Sequence, residues 1–301
     1  MVERVSSGYA VVTTVYADAS GLNRLASALA GQTVAPTVWV IVVDGDDEPT
    51  SRAARVIRTE MPFVELLENA SVAPARGARV VSLLEVGART LAGRADVWFK
   101  IDADVSFASD HLETIAREFG LDRKLGVASG VRIDEQSGRR HYHRAKGVLV
   151  EAQCRAYRDA CFAQLTPLER SLGWDTIDIA EAVAKGWRTL VVDETAFVHH
   201  RLLGARERSR WRYHWREGAV AHRLRYRPGY LVLRALHQAA SDRTAVVQIP
   251  GFLVSVARRS SPLGSPPARA VLREQQRVRH LRARAREAAR GRKPRRLGFH
   301  A

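Results

Sequence analysis

The sequence predicts an α/β fold, a mostly parallel sheet flanked by helices, followed by a basic and largely helical C-terminal extension. Two observations support this prediction. Apolar, β-rich runs alternate with amphipathic segments over the first 130 residues, which is typical of a parallel sheet covered on both faces. The charge then changes sharply, because residues 1–200 carry 23 Lys+Arg against 27 Asp+Glu, whereas residues 201–301 carry 25 against 5.

The elements follow from periodicity and from their end signals. Continuous apolar runs predict buried strands, glycines mark helix stops, and Asp110 is a predicted helix N-cap. The predicted strands are residues 9–15, 38–43, 64–67, 97–101, 126–133 and 189–192. The predicted helices are residues 21–31, 50–60, 75–92, 110–118, 150–165, 179–185 and 268–293, with a polar turn at 139–144 and a linker at 260–267.

Length and composition set the organisation. A chain of 301 residues can bury a large core, and we divide it into a domain at 1–204 and the extension at 205–301. No stretch has the roughly 18 apolar residues that a membrane span needs, and residues 1–4 lead into a strand without a secretory apolar region, so we expect a cytoplasmic protein. Cys154 and Cys161 lie on one face of the predicted helix 150–165, where reduced, packed thiols are expected.

Asp102 and Asp104 are the most informative pair. They follow the apolar run 97–101, and strand alternation places both carboxylates on one face of its exit. Two such carboxylates repel each other unless a cation lies between them, so the pair indicates a divalent metal that carries phosphate oxygens. A pair of solvated turn residues is the simpler alternative. Asp44 also ends a strand, and ligands of parallel sheets bind beyond these carboxyl ends.

Over roughly residues 8–205 the sequence resembles the inverting family 2 glycosyltransferases of the GT-A fold. Four segments match that family's pattern in the same order: residues 11–33, residues 42–45, residues 101–104, and residues 173–175 with 186–189. The resemblance implies a GT-A domain that transfers a sugar from a nucleoside-diphosphate sugar to a hydroxyl acceptor. It also implies a divalent cofactor, Mg²⁺ or Mn²⁺, both of which accept oxygen ligands.

The resemblance assigns the donor-side residues as well. Asp104 would bind the metal directly, Asp102 would hold the ribose and orient the site, and His199 would contact the metal or the diphosphate. Asp44 would accept a hydrogen bond from the nucleotide.

One donor-side assignment stays open. Segment 69–79 resembles a nucleotide-contacting loop of the family, but it departs from the commoner form of that loop. Either Arg76 or Arg79 would therefore be the arginine that contacts the nucleotide.

Asp175 is our choice for the catalytic base, and Asp178 is the alternative. Inversion requires an acceptor hydroxyl to attack from the face opposite the diphosphate while a carboxylate removes its proton. Each aspartate also precedes or enters a helical run, so a helix N-cap is the structural interpretation of both.

The charge asymmetry suggests an anionic partner for the extension. Arginines mixed with Trp and Tyr suit an anionic membrane surface, where a lipid-linked or glycan acceptor of cell-surface polysaccharide or glycolipid synthesis would be met. A solvated basic face is the simpler alternative. Nucleic acid is a poor match, because the extension has no zinc-finger spacing, RNA-recognition signature or helix-turn-helix pattern.

Two other functions compete with this interpretation. A nucleotidyltransferase shares the α/β fold and the carboxylate pair, but it would need a Gly-rich loop after the first strand, where residues 14–18 contain no glycine. A non-catalytic sugar-nucleotide-binding or scaffold protein would keep the fold without turnover.

Overall fold

The structure is a computed structural model that describes residues 8–69, 76–136, 139–200, 209–240, 242–280 and 283. Its strands are β1 (Tyr9–Val15), β2 (Val38–Asp44), β3 (Val64–Asn69), β4 (Val97–Ile101), β5 (Val105–Phe107), β6 (Leu125–Gln136), β7 (Arg139–His143), β8 (Cys154–Arg158) and β9 (Arg188–His199). Its helices are α1 (Ala19–Ala30), α2 (Glu48–Glu60), α3 (Arg76–Leu91), α4 (His111–Leu121), α5 (Asp159–Leu165), α6 (Trp174–Ala184), α7 (Arg210–Arg223), α8 (Pro228–Ala239), α9 (Gln248–Ala257) and α10 (Pro266–Gln275).

The strands form one sheet in the order β3-β2-β1-β4-β8-β6-β9-β5, with β7 paired to β6. The pairs β3-β2, β2-β1, β1-β4 and β6-β9 are parallel, whereas β8 and β5 run antiparallel to their neighbours. The predicted α/β class with a mostly parallel sheet is confirmed.

Both faces of the sheet are covered, which explains why its strands are apolar throughout. Val11 and Val15 of β1 face a core with α1, α2 and α4, whereas Ala10 and Val12 face a second core with α3, α5 and α6. Each strand therefore needs apolar residues at both odd and even positions.

Two predicted elements are wrong. Residues 150–165 are not one helix, because residues 154–158 form β8 between β4 and β6, and only residues 159–165 are helical. As a strand, this segment supplies hydrogen-bond partners to the buried backbones of β4 and β6, which a helix at the same place would leave unpaired. The polar turn at 139–144 is instead β7, which pairs antiparallel with β6.

The cysteines consequently do not share a helix face. Cys154 lies in the core on the α4 side and Cys161 in the core on the α3 side. Both are buried free thiols, as the composition predicted, and burial raises the pKa of Cys161 to about 12.

The C-terminal helices pack on α6. Leu224, Leu263 and Leu272 form a small core with Ile177 and Ala180 of that helix. The predicted helix 268–293 is observed as α10 followed by a 3₁₀ turn at Val278–His280, and residues 284–301 lie outside the described part. None of the helices described is long and apolar enough to cross a membrane.

Gly173 makes this packing possible. It has a left-handed backbone (φ +92°), and a Cβ there would lie 2.7 Å from Val220 Cγ1 of α7. Only glycine tolerates both the conformation and the close approach. The first turn of α6 therefore lies directly against the C-terminal extension.

Candidate active site

The candidate donor residues converge on one edge of the sheet because β1, β2 and β4 are parallel neighbours. Their carboxyl ends carry Tyr16, Asp44 and Asp102, respectively. Ligands of such sheets bind at this edge.

Asp44 and Arg79 form the first part of the site. The Nε atom of Arg79 lies 2.6 Å from Oδ2 of Asp44, whose side chain is only 7% exposed. The guanidinium also lies over the Tyr16 ring, 5.3 Å from its centroid. The buried Oδ1 of Asp44 accepts no hydrogen bond from the described residues.

Of the two candidate arginines, Arg79 is thus placed beside Asp44. Arg76 begins α3, but its side chain lies outside the described part, as do residues 70–75 of the same segment. Sequence reasoning missed Tyr16. An aromatic residue one position beyond the end of β1 was the available signal.

Lys100 accompanies the aspartate pair. Its Nζ lies 2.5 Å from Oδ1 of Asp102 and donates a second hydrogen bond, of 2.9 Å, to the carbonyl of Ala152. The lysine is buried, whereas the Asp102 side chain is 33% exposed. The charged residue in this apolar strand thus pairs with Asp102 and leaves one side of that carboxylate open to solvent.

Asp104 and His199 meet through strand pairing. Val105 of β5 lies opposite His199 of β9, and the amide of His200 donates to the carbonyl of Asp104. This register places His199 Nε2 3.7 Å from Asp104 Oδ1, with both side chains largely buried. Residues 95 positions apart in the chain thereby present a carboxylate and an imidazole to one point.

A charged cluster that the sequence did not reveal lies behind His199. Asp134 Oδ1 lies 3.5 Å from His199 Nδ1 and 3.1 Å from Arg132 Nε, and Asp134 Oδ2 lies 3.1 Å from His143 Nε2. Arg132 also contacts Glu151 at 3.0 Å. These residues come from β6, β7 and the loop before β8, and no local motif joins them.

The cluster is anionic at Asp134. Burial alone would raise the pKa of this carboxyl, but the neighbouring imidazoles of His143 and His199 and the charge of Arg132 outweigh burial and hold the pKa well below its usual range. Burial raises the pKa of Glu151 despite the nearby Arg132. Asp134 is therefore the group that can orient His199 through its Nδ1 atom.

The residues at this edge fit a divalent cation. Asp104 supplies a carboxylate oxygen and His199 an imidazole nitrogen, a donor set that Mn²⁺ accepts. No cluster of three or more His, Cys, Asp or Glu ligands is found within the described ranges. The remaining ligands would have to come from phosphate oxygens and water, as is common for such ions bound with nucleotides.

Asp175 and Asp178 occupy different environments. Gly173 is the N-cap of α6, so the helix N-cap interpretation of both aspartates is wrong. Asp178 is buried, with its side chain 1% exposed, and it accepts hydrogen bonds from Arg155 at 2.9 Å and from the Tyr157 hydroxyl at 2.6 Å. These contacts give it a structural role.

Asp175 lies in the first turn of α6 and is partly exposed. Its backbone carbonyl accepts a hydrogen bond of 3.0 Å from Arg155, the residue paired with Lys100 across β8 and β4. Arg155 thus ties the helix of Asp175 to the strand that precedes Asp102.

Comparisons with known proteins agree with this arrangement at the level of the fold. No protein-family model and no curated protein sequence matches the chain. The chain is similar to the mannosyltransferase PcManGT from Pyrobaculum calidifontis, solved with GDP-Man and Mn²⁺, with a TM-score of 0.56 and 15% identity over 94% of this chain and 84% of that chain.

Two further solved structures are similar. GalNAc-T7 with UDP, GalNAc and Mn²⁺ gives a TM-score of 0.53 and 14% identity over 66% of this chain and 44% of that chain. TarS from S. aureus gives 0.52 and 15% over 84% and 72%. Together with the sheet topology, these likenesses show that the chain has the GT-A fold of glycosyltransferases.

Proposed function

We propose that this protein is a metal-dependent, inverting glycosyltransferase of the family 2 type. It would transfer a sugar from a nucleoside-diphosphate sugar to a hydroxyl acceptor. The observation that carries the proposal is the pair Asp104 and His199, 3.7 Å apart, on the sheet edge that also holds Asp44 and Arg79. A carboxylate-imidazole pair beside a carboxylate-guanidinium pair suits a diphosphate next to a nucleoside.

On the donor side, each residue has a distinct task. Asp104 and His199 would hold Mg²⁺ or Mn²⁺, which neutralises the charge that develops on the diphosphate leaving group. Asp102 would accept a hydrogen bond from the ribose on the side of its carboxylate that Lys100 leaves open. Asp44 would accept one from the nucleotide through Oδ1, and Arg79 with Tyr16 would cover the nucleoside.

On the acceptor side, Asp175 would act as the general base. Its side chain is partly exposed, which allows an acceptor hydroxyl to approach, whereas Asp178 is buried in contact with Arg155 and Tyr157. A positioned carboxylate that takes the hydroxyl proton makes the oxygen nucleophilic as it attacks the anomeric carbon. Attack opposite the leaving diphosphate inverts that carbon.

The donor class is supported by the similar structures, which were solved with GDP-Man or with UDP and GalNAc. We propose a glycan or lipid-linked acceptor in the synthesis of a cell-surface polysaccharide or glycolipid. The catalytic unit would be residues 1–204 and the basic unit residues 205–301, in a cytoplasmic protein with access to the inner face of the membrane.

A thermal-shift screen tests the donor assignment. The full chain is mixed with UDP-, GDP- and dTDP-sugars with and without Mn²⁺, and at least one sugar nucleotide should raise Tm in a Mn²⁺-dependent way, because binding to the folded state alone stabilises it. The proposal fails if no sugar nucleotide is bound or hydrolysed. Release of pyrophosphate from a nucleoside triphosphate would instead identify a nucleotidyltransferase.

A further inference from the structure

The C-terminal extension concentrates exposed apolar side chains. Of the 13 large hydrophobic residues exposed in the described parts of the chain, eight lie between residues 211 and 256. They are Trp211, Trp215, Val232, Leu233, Leu236, Val246, Leu253 and Val256. Single exposed apolar residues are ordinary, whereas apolar residues that form a patch mark an interaction surface.

The exposed apolar residues are additional to those that the helices bury against one another. The inner faces of α7, α8 and α9 already pack together, where Ala221, Leu231 and Phe252 form a small core. The backbones of α7 and α9 touch so closely that a Cβ on Gly251 would lie 2.3 Å from the carbonyl oxygen of Trp215. The eight exposed apolar side chains therefore lie outside this small core.

Part of this outer face is a recess with cationic walls. Trp211 and Trp215 are one helical turn apart on α7 and line a recess of about 480 Å³ together with Val247 and Pro250. Arg212 and Arg216 line the same recess. Indole rings beside guanidinium groups are typical of the boundary between lipid headgroups and acyl chains.

The surrounding charge has one sign. The described residues between 209 and 280 include 14 arginines against three acidic residues, Glu217, Asp242 and Glu274. All three acidic side chains already form ion pairs with arginines. The surface therefore attracts an anionic partner and repels a second copy of itself.

We propose that this outer helical surface, formed by the eight exposed apolar residues of α7, α8, α9 and the 3₁₀ turn at Arg243–Val247, docks on an anionic lipid bilayer. Apolar side chains enter the headgroup boundary and arginines contact lipid phosphates. A nucleic acid offers the same phosphates but gives the leucines and valines nothing to enter. Of these two partners, only a bilayer satisfies both features of the surface.

Docking would also position the acceptor side of the site. Val220 of α7 lies against Gly173, so the docked helices hold the first turn of α6, with Asp175, close to the bilayer. Resting on the proposed function, this arrangement favours an acceptor hydroxyl carried by a membrane lipid.

The test is sedimentation of the full chain with vesicles made of equal parts of phosphatidylcholine and phosphatidylglycerol, and with phosphatidylcholine alone. We expect binding to the anionic vesicles, weakened by added NaCl. A variant with Trp211→Ser, Trp215→Ser, Leu233→Ser and Leu236→Ser should bind at least about tenfold more weakly, since it loses most of the apolar contact area. Its Tm and donor thermal shift should match those of the wild type.

The matched control removes exposed apolar residues elsewhere, with Val56→Ser and Leu121→Ser on α2 and α4, and should bind vesicles like the wild type. The proposal is overturned if the quadruple variant binds as well as the control, or if charge in the vesicles makes no difference. It is also overturned if the wild type is a dimer that the quadruple variant dissociates, or if it binds RNA but not vesicles. None of these outcomes affects the donor screen, which needs no membrane.

Discussion

Two aspartates on the same helix, one turn apart, show how much a role depends on surroundings. Asp178 is enclosed by Arg155 and Tyr157, whereas Asp175 is partly exposed in the first turn of α6. A buried carboxylate locked in an ion pair cannot accept a proton from a substrate it does not contact. The structure therefore separates two residues that the sequence offered as alternatives.

Asp175→Asn and Asp178→Asn should fail in opposite ways. Asp175→Asn should keep donor affinity and Tm but lower kcat by roughly 10²–10⁴-fold, the usual contribution of a general base. Asp178→Asn should cost about 3–5 kcal/mol of unfolding free energy, because it leaves the Arg155 charge buried without its partner. Unfolding in guanidinium chloride and turnover, measured on both variants, test these two expectations. Full turnover in Asp175→Asn would exclude Asp175 as the base.

Asp104→Ala should abolish Mn²⁺-dependent donor binding more completely than Asp102→Ala. Asp104 faces His199 at the proposed cation site, whereas Asp102 is shared with Lys100. Asp102→Ala should instead lower the Tm of the ligand-free protein, since the buried Lys100 ammonium loses its carboxylate. Titration calorimetry with Mn²⁺ and a sugar nucleotide, together with ligand-free melting curves, separates the two effects, and equal loss of metal dependence would contradict the assignment.

His111 should make stability fall with acid. Its burial lowers the pKa of the imidazole to about 3, while its Nδ1 lies 2.7 Å from the Thr195 hydroxyl. Between the unfolded value of about 6.5 and the folded value, only the unfolded chain binds the proton. Stability is thus fully present above pH about 6.5 and falls by up to about 1.4 kcal/mol per pH unit below it.

Replacing His111 by Gln should reduce the slope of unfolding free energy against pH by about 1.4 kcal/mol per pH unit between pH 6.5 and 4, because the unfolded variant no longer binds this proton. The matched control is His237→Gln on α8, where the histidine is exposed. Urea unfolding at several pH values measures both slopes. An unchanged slope in His111→Gln would show that other groups cause the acid sensitivity.

At the scale of elements, the start of α6 is the joint between the sheet domain and the extension. Gly173 precedes the helix and Gly186 follows it, both with left-handed backbones of φ +92° and +89°. A Cβ at Gly173 meets Val220, whereas one at Gly186 meets nothing within 4 Å. The two glycines share a conformation but not a neighbour.

Gly173→Ala should therefore destabilise more than Gly186→Ala. Each substitution pays about 1–2 kcal/mol for the left-handed backbone, and Gly173→Ala adds about 1–3 kcal/mol of overpacking against α7. The difference between the two unfolding free energies, measured in denaturant, isolates the contact. Equal values would mean that α7 moves away freely from α6.

At the scale of the whole molecule, the extension completes the core as well as carrying charge. Ile177 and Ala180 of α6 are buried under Leu224, Leu263 and Leu272. The acidic first two thirds and the basic last third are therefore one packed unit where they meet. The charge division alone would suggest that the extension is attached to the sheet domain with little contact between them.

Ending the chain at residue 204 should lower Tm and promote association, because the outer face of α6 becomes an exposed apolar patch. Two single variants of the shortened chain, Ile177→Ser and Leu168→Ser, test whether the patch causes the association. Ile177 lies in the patch and Leu168 does not, so only Ile177→Ser should reduce association. Differential scanning fluorimetry and light scattering measure both. A shortened chain that stays monomeric with unchanged Tm would show that the extension contributes nothing to the core.

Most of the sheet domain was predictable because its signals are local. Strands β1 to β4 are apolar in unbroken runs, helices α1 to α4 follow the 3.6-residue period, and Asp102 and Asp104 stand at a strand end. The prediction of a helix at residues 150–165 was wrong because the deciding contacts are not local. The apolar pattern of these residues is short and fits either a helix or a strand. Part of the segment becomes β8 because it pairs with β4 and β6, which are distant in the chain.

The sequence by itself determined the fold class, the charge division and the aspartates at the carboxyl edge, because each depends on residues that are neighbours in the chain. Only the tertiary structure decided that Asp104 meets His199, that Arg79 pairs with Asp44 beside the Tyr16 ring, that Asp134 lies behind His199, and that Asp178 is enclosed. These contacts join residues from distant elements. Strand register and burial, which no local pattern encodes, bring them within bonding distance.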